Sequence, residues 1–245
     1  MWSRRFLATA LHVARVPPLA TPRLLPHAHY SSPATPTVPD TPPNPTPTHV
    51  PKSHGPLNWV LNKFGLGAEQ AQWRTTGTLL MTSCTQSVAV EEFFKELDMP
   101  DSFYSWFLVT ELHIYMVSVR LLANEGPEGF QIRNAMIESW WMDCEHRIKQ
   151  LGQIHRETKK SGIKTIFEEF QASIFIYDEG LLGDDKQLAN AVWRRFFLGA
   201  EPDPEKIAIL VDYIRRTMTV LDHIPQNHLH YSNGLKWLPL IPKEQ

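Results

Sequence analysis

Asp143-x-x-His146 would place a carboxylate and an imidazole on one helical face, and His228-Leu229-His230 would set two imidazoles on one side of an extended segment. These are ligand types for zinc or iron. A dinuclear carboxylate bundle, however, needs acidic ligands from two further helices and a second Glu-x-x-His element, and the chain has no such second element. On that ligand count the histidines read as surface groups or as satisfied core groups, with no metal and no other cofactor expected. Nucleophile elbow, P-loop, dinucleotide fingerprint and zinc-protease motif are all absent from the sequence. Enzymatic chemistry is therefore not expected.

Two further groups of residues are candidates for binding. Arg147, Lys149, Arg156, Lys159, Lys160 and Lys164 crowd one window, with His146 and His155 beside them and Glu157 between. Such a window either meets phosphates, in a salt-dependent way, or is a solvated helix end, and charge patterning favours the second. It lacks the interleaved aromatics of a base-reading surface. Trp140 and Trp141 are adjacent, so on a helix they diverge by ~100° and cannot both face the core. Arg194-Arg195 follow Trp193, which itself forms a core-like stripe with Phe197. Exposed Trp and Arg dominate interfaces, so Trp140, Trp141, Arg194 and Arg195 are the expected partner contacts.

The element that must position these groups is the run from Phe103 to Leu122. It is strongly apolar yet carries Glu111, His113, Ser118 and Arg120. Ionisable groups at a bilayer centre cost several kcal/mol each, so the run reads as a buried helix and not as a membrane span. His113 and Arg120 fall on one face, Glu111 and Ser118 on another. Neither pair marks a wet side, so other helices should surround this one, with His113 and Arg120 bonded inside.

The chain has 245 residues, 42% of them hydrophobic, and a formal charge of −2. Residues 1–56 hold five basic side chains against one acid, leaving 19 basic and 25 acidic residues in 57–245. A folded part this acidic is no general polyanion binder. Residues 1–39 contain four arginines, Ser and Thr, and no Asp or Glu. That is the composition of a mitochondrial transit peptide, a disordered basic tail being the alternative. Thirteen prolines between Pro17 and Pro56 make an extended linker without a core. The expected organisation is a transit peptide over 1–30, a disordered proline-rich linker over 31–56 and a helical domain over 57–245.

In that domain the spacing predicts an all-α, single compact bundle of seven or eight helices behind a disordered N-terminal tail. Expected helices are Leu57 to Phe64, Ala68 to Ser87, Val90 to Leu97, the run capped by Asp101 or Ser102, Phe130 to Leu151, Ile163 to Leu182, Ala189 to Leu198, and Glu205 to Asp222. Asp184 with Gln187 has capping-box spacing, and Asp203-Pro204 reads as an N-cap and first helical position. His228 to Leu240 is expected as irregular structure on the bundle. Cys84 and Cys144 are too few for a disulfide framework or a zinc site and read as buried thiols.

The Trp-Phe pair at 106 and 107, the Leu-His step at 112 and 113 and Val119-Arg120-Leu121 resemble the signature helix of the ubiquinol-cytochrome c chaperone family. Met142-Asp143 leading to Leu151-Gly152, the phenylalanine-rich stretch ending at Tyr177 to Leu181, and Leu188-Ala189-Asn190-Ala191 leading to Arg194-Arg195 resemble further family elements in the same order. Ile148-Lys149 stands where that family commonly has Leu-Arg, and Arg195 where it has Asn. The resemblance implies a non-enzymatic chaperone of complex III assembly, peripheral to the matrix side of the mitochondrial inner membrane and without a transmembrane helix. Implied partners are newly made cytochrome b, a small complex III assembly factor and the mitochondrial ribosome, with the basic window meeting ribosomal RNA or lipid. Two other readings remain open at this point: a helical matrix enzyme with a metal or quinone-type pocket, and a ribosome-bound structural protein.

Overall fold

The computed structural model describes residues 67–123, 127–152, 155–198, 203–225 and 235–242. Seven helices fill the described residues: α1 Ala68–Gln86, α2 Val90–Glu96, α3 Phe103–Leu122, α4 Pro127–Gln150, α5 Arg156–Leu182, α6 Asp185–Phe196 and α7 Pro204–His223. The all-α expectation holds. The transit peptide, the linker, the Leu57 to Phe64 helix and His228 to His230 lie outside the described residues.

Most helix ends follow from short-range chemistry. Ser102 caps α3 by accepting from the Ser105 amide at 3.2 Å, as its residue type predicts. At α6 the capping box is complete: Asp184 Oδ1 accepts from the Gln187 amide at 3.0 Å, and Gln187 Oε1 accepts back from the Asp184 amide at 3.1 Å. Asp203 caps α7, with Pro204 at its first position. Three starts differ from expectation, that of α6 being Asp185, directly after its capping box and four residues before the expected Ala189. α4 begins at Pro127, because proline suits a first turn whose amide needs no partner. α5 begins at Arg156, seven residues before the expected Ile163. Its first turns are exposed and carry no apolar stripe, so periodicity could not reveal them.

α3 is the pillar of the bundle, with buried residues on every side from Phe107 to Leu121. α1 and α4 lie side by side at close range, and α5 pairs with α6. Glycine permits both approaches. A Cβ at Gly77 of α1 would stand 2.7 Å from the Met136 amide nitrogen and 2.8 Å from Ala135 Cβ. One at Gly180 of α5 would stand 2.7 Å from Ala191 Cβ on α6. Trp237, from the C-terminal stretch, donates its indole N–H to the Ser83 carbonyl at 3.0 Å and so ties that stretch to α1.

No described helix is long and apolar enough to cross a membrane. In α3 that follows from Glu111 and Arg120 within an otherwise apolar run.

The two kinds of helical glycine should respond oppositely to alanine. Gly77→Ala forces a methyl into backbone and should cost about 1–3 kcal/mol. Gly162→Ala meets nothing within 4 Å and should stabilise by about 0.5–1 kcal/mol. Urea unfolding of both variants checks this, and equal effects would contradict a close α1–α4 contact.

Candidate functional site

Glu111 is buried at the middle of α3, where an unpaired carboxylate would be prohibitively costly. Arg195 of α6 meets it side-on: Nε donates to Oε1 and Nη2 to Oε2, each at 2.7 Å. Burial pushes the Glu111 carboxyl upward and the Arg195 bonds oppose that. Burial also acts to lower Arg195, but the Glu111 bonds outweigh it and hold the guanidinium above its ordinary value. Such a two-bonded geometry belongs to an ionised pair. Arg195 Nη1 further donates to Glu169 of α5 at 3.2 Å and to the Tyr104 hydroxyl at 3.1 Å. Tyr104 in turn donates to Glu169 at 2.9 Å, and Tyr177 donates to Glu111 at 3.3 Å. Three helices are thereby clamped, and the Glu111 carboxylate at the centre is shut off from solvent.

The other polar groups of α3 are likewise consumed. His113 Nδ1 faces the Val109 carbonyl at 2.7 Å, which can only accept, so Nε2 accepts from the Tyr213 hydroxyl of α7 at 2.7 Å. Burial pulls the His113 imidazole down to about 4, keeping it neutral. Arg120 donates to the Leu221 and Ile224 carbonyls and so closes the C-terminal end of α7. Tyr115 donates to Asp178 at 2.8 Å, whose carboxyl is pushed up to about 6 by burial, an effect the Tyr115 bond partly offsets. Both cysteines are buried free thiols, as expected. Among the described residues no three His, Cys, Asp or Glu side chains gather as metal ligands.

An aromatic stack runs outward from this centre. Phe107 lies on Trp140 with centroids 5.1 Å apart and planes 14° from parallel. Phe103 sits 6.3 Å from Phe107 and 5.7 Å from Trp106, at the surface end. There a groove of about 560 Å³ opens between the end of α1, α2, the start of α3 and the end of α4. Val88, Val90, Phe94, Phe103, Trp106 and Leu151 supply its apolar lining, and Glu91 and Asp101 its rim. Arg147 lies over the Trp106 ring at 4.0 Å and donates to Asp143 at 2.9 Å. Two other hollows are open: about 600 Å³ against Tyr104, Ser161, Thr165 and Glu169, and about 630 Å³ between α6 and α7 over Ala189, Ile207 and Val211. The first groove is the candidate site, because aromatic rings fixed from behind form its floor.

The expected contact residues scatter. Trp140 is wholly buried, with its indole N–H donating to Thr110 at 3.2 Å, and Arg195 is 5% exposed. Neither is available on the surface of this fold, which corrects the expectation for both. Trp141 keeps partial exposure beside Phe167, and Arg194 sits outside, paired with Glu179 at 2.9 Å. The basic window is partly self-neutralised. Arg147 pairs with Asp143, Lys149 with Glu145 at 3.1 Å and Lys164 with Glu168 at 3.6 Å. Lys159 donates to the Lys149 and Gly152 carbonyls at the end of α4, where a cation suits the helix dipole. Arg156 and Lys160 remain exposed. The sequence did not locate this groove. Its residues come from four segments, and only the aromatic spacing at 103 and 106 hinted at it.

A family model described as ubiquinol-cytochrome C chaperone matches residues 95–235. A Drosophila melanogaster protein named ubiquinol-cytochrome c reductase complex assembly factor 1 is 37% identical over 190 residues, covering 76% of this chain and 73% of the relative. Its Mus musculus namesake is 33% identical over 201 residues, covering 80% and 68%. A Saccharomyces cerevisiae protein named Protein CBP3, mitochondrial, is 27% identical over 167 residues, covering 65% and 50%. The crystal structure of the Cbp3 homolog from Brucella abortus is similar with a TM-score of 0.59 and 17% identity, covering 74% of this chain and 97% of that one. At that identity the likeness speaks for the fold alone.

Breaking the buried pair by Arg195→Met should cost about 3–5 kcal/mol, and Glu111→Leu added to it should recover part of the loss. Urea unfolding of the single and double variants decides, and a harmless single substitution would contradict the clamp. The pH dependence has two opposed parts. Unfolded His113 protonates near 6.5 and folded His113 near 4, so stability falls, by up to about 3 kcal/mol, as pH drops between them. Folded Asp178 protonates near 6 and the unfolded group near 3.8, so its contribution rises as pH drops through that window. Asp178→Asn should therefore steepen the acid loss measured from pH 6.5 to 4, and parallel slopes would contradict this assignment.

Proposed function

The chain belongs to the ubiquinol-cytochrome C chaperone family, and from that premise we propose that it is a non-enzymatic assembly chaperone of respiratory complex III. In this reading it holds newly synthesised cytochrome b, together with a small partner factor, near the exit of the mitochondrial ribosome. It works peripherally at the matrix side of the inner membrane, with residues 1–30 as its address.

The observation that carries the reading is the contrast between the closed polar centre and the open aromatic groove. Glu111, His113 and Arg120, the groups with most capacity for chemistry, are spent on holding helices together. What the groove offers to solvent is the partly exposed rings of Phe94, Phe103 and Trp106 and the Leu151 side chain, set among polar neighbours. A surface of this kind stabilises a bound apolar segment by RT ln(1 + [L]/Kd) and changes no bond in it. The names of the relatives, all of them complex III assembly factors or a mitochondrial protein of the same family, support the same reading. Trp141 and Arg194 are the remaining partner contacts from the expected set. Arg156 and Lys160 are the charges left free for ribosomal RNA or lipid.

A photo-crosslinker at Leu151, which is 37% exposed and removable without disturbing the core, should capture nascent cytochrome b during mitochondrial translation. Leu151→Asp should reduce assembled complex III while leaving the chain folded. Arg156→Glu with Lys160→Glu should weaken ribosome cosedimentation at low salt. Crosslinks to other translation products only, with cytochrome b absent, would overturn the client assignment, and unchanged cosedimentation would remove the ribosomal one.

A further inference from the structure

From Thr75 to Val90 the chain carries no Asp, Glu, Lys, Arg or His. α1 buries one side of this stretch against α4, with Gly77, Leu80 and Cys84 inward. Among the described residues nothing covers the opposite side. Thr75, Leu79, Thr82 and Gln86 follow one another at steps of four, three and four residues, so they form a single stripe about 16 Å long. Leu79 is 41% exposed on it.

The threonines do not make this stripe as polar as their names suggest. Thr75 Oγ1 donates to the Ala71 carbonyl and Thr82 Oγ1 to the Thr78 carbonyl, each at 2.9 Å. Hydroxyls folded back onto their own helix are already satisfied, which is how Ser and Thr sit in helices that face apolar surroundings. The face thus combines methyl groups, a leucine, spent hydroxyls and, at its groove end, the uncharged Gln86 amide. Water gains little there, and an approaching helix meets no charge it must desolvate.

The stripe runs into the aromatic groove, since Gln86 belongs to both. At that junction the uncharged character ends abruptly. Glu91 and Asp101 are exposed on the rim, and neither forms an ion pair among the described residues. The cation nearby, Arg147, is engaged by Asp143 and the Trp106 face. The stripe therefore carries no charged side chain, and the groove it enters sets aromatic and aliphatic groups among polar ones, with an acidic rim at one end.

We propose that the outer face of α1 and the aromatic groove form one continuous trough for an apolar helix whose flank carries Lys or Arg, the basic flank resting against Glu91 and Asp101. This rests on the chaperone reading above and specifies the client segment: a membrane-type helix taken up by its positively charged end. The occupant follows from charge complementarity. An acidic rim repels an anionic lipid surface, while a helix destined for a bilayer carries its lysines and arginines on the flank that stays behind. Selection is electrostatic at the rim and steric along the stripe.

The test uses the purified full chain and two fluorescent Leu/Ala helical peptides, one flanked by paired lysines and the other by paired glutamates, with binding read by anisotropy at low salt. The lysine peptide should bind about tenfold more tightly. Glu91→Gln with Asp101→Asn should abolish that preference, and Glu91→Lys with Asp101→Lys should invert it. Leu79→Asp should weaken both peptides, with thermal unfolding showing that each variant stays folded. Equal affinity for the two peptides, or a preference that survives the rim variants, would overturn the proposal. Complex III content in cells carrying Leu79→Asp is read separately: if it is normal although peptide selection in vitro holds, the trough stands and its use in complex III assembly falls.

Discussion

The Glu111–Arg195 pair is the constraint around which the bundle is organised. A carboxylate at the centre of a helix buried on all sides must be answered by a cation in the right orientation. The answer comes from α6, and the same guanidinium reaches Glu169 on α5 and Tyr104 on α3. An apolar pair of similar size could hold these helices as tightly, since buried charges are costly to desolvate. The ionic version fixes angle and register, because two parallel 2.7 Å bonds tolerate little rotation. His113 and Arg120 both repeat the arrangement toward α7, so the polar groups of the pillar fix α6 and α5 on one side and α7 on the other.

This rigidity has a consequence at the surface. Phe107 and Trp140 stack between the polar centre and the groove, with Phe170 edge-on behind Trp140 at 5.2 Å. Phe103 and Trp106 lean on that stack, and Arg147 covers the Trp106 ring. Side chains held in this way lose little conformational freedom when something binds to them. A binding floor built on fixed aromatics is therefore ready before its client arrives. The buried ionic clamp contributes to binding at a distance, through the packing it enforces, and touches nothing that binds.

Much of the fold was legible because helix ends are local events. The Asp184–Gln187 box and Asp203-Pro204 mark their helices by residue type alone and work as their spacing predicts, and of the two cap candidates before α3 it is Ser102 that serves. The early start of α5 was illegible because its first turns face solvent and carry no periodic apolar signal. Of the candidate site, the basic window misled most. In sequence it is a cluster of cations, but i to i+4 carboxylates and two backbone carbonyls absorb Arg147, Lys149, Lys159 and Lys164 once the chain is helical.

By itself the sequence determined that the chain is helical past the proline-rich stretch, that the run from Phe103 to Leu122 is enclosed, and that its ionisable groups need partners, since periodicity and desolvation cost act over short distances. Tertiary structure decided which partners those are. Arg195 lies 84 residues from Glu111, and Tyr213 lies 100 residues from His113. It also decided that Trp140 turns inward while Trp141 stays at the edge, a choice adjacent residues on a helix cannot make until neighbouring helices are in place. The groove is the clearest case, because the stretch from Thr85 to Trp106 closes it only by meeting Arg147 to Leu151 at the end of α4, and no local pattern encodes a surface that exists only after packing.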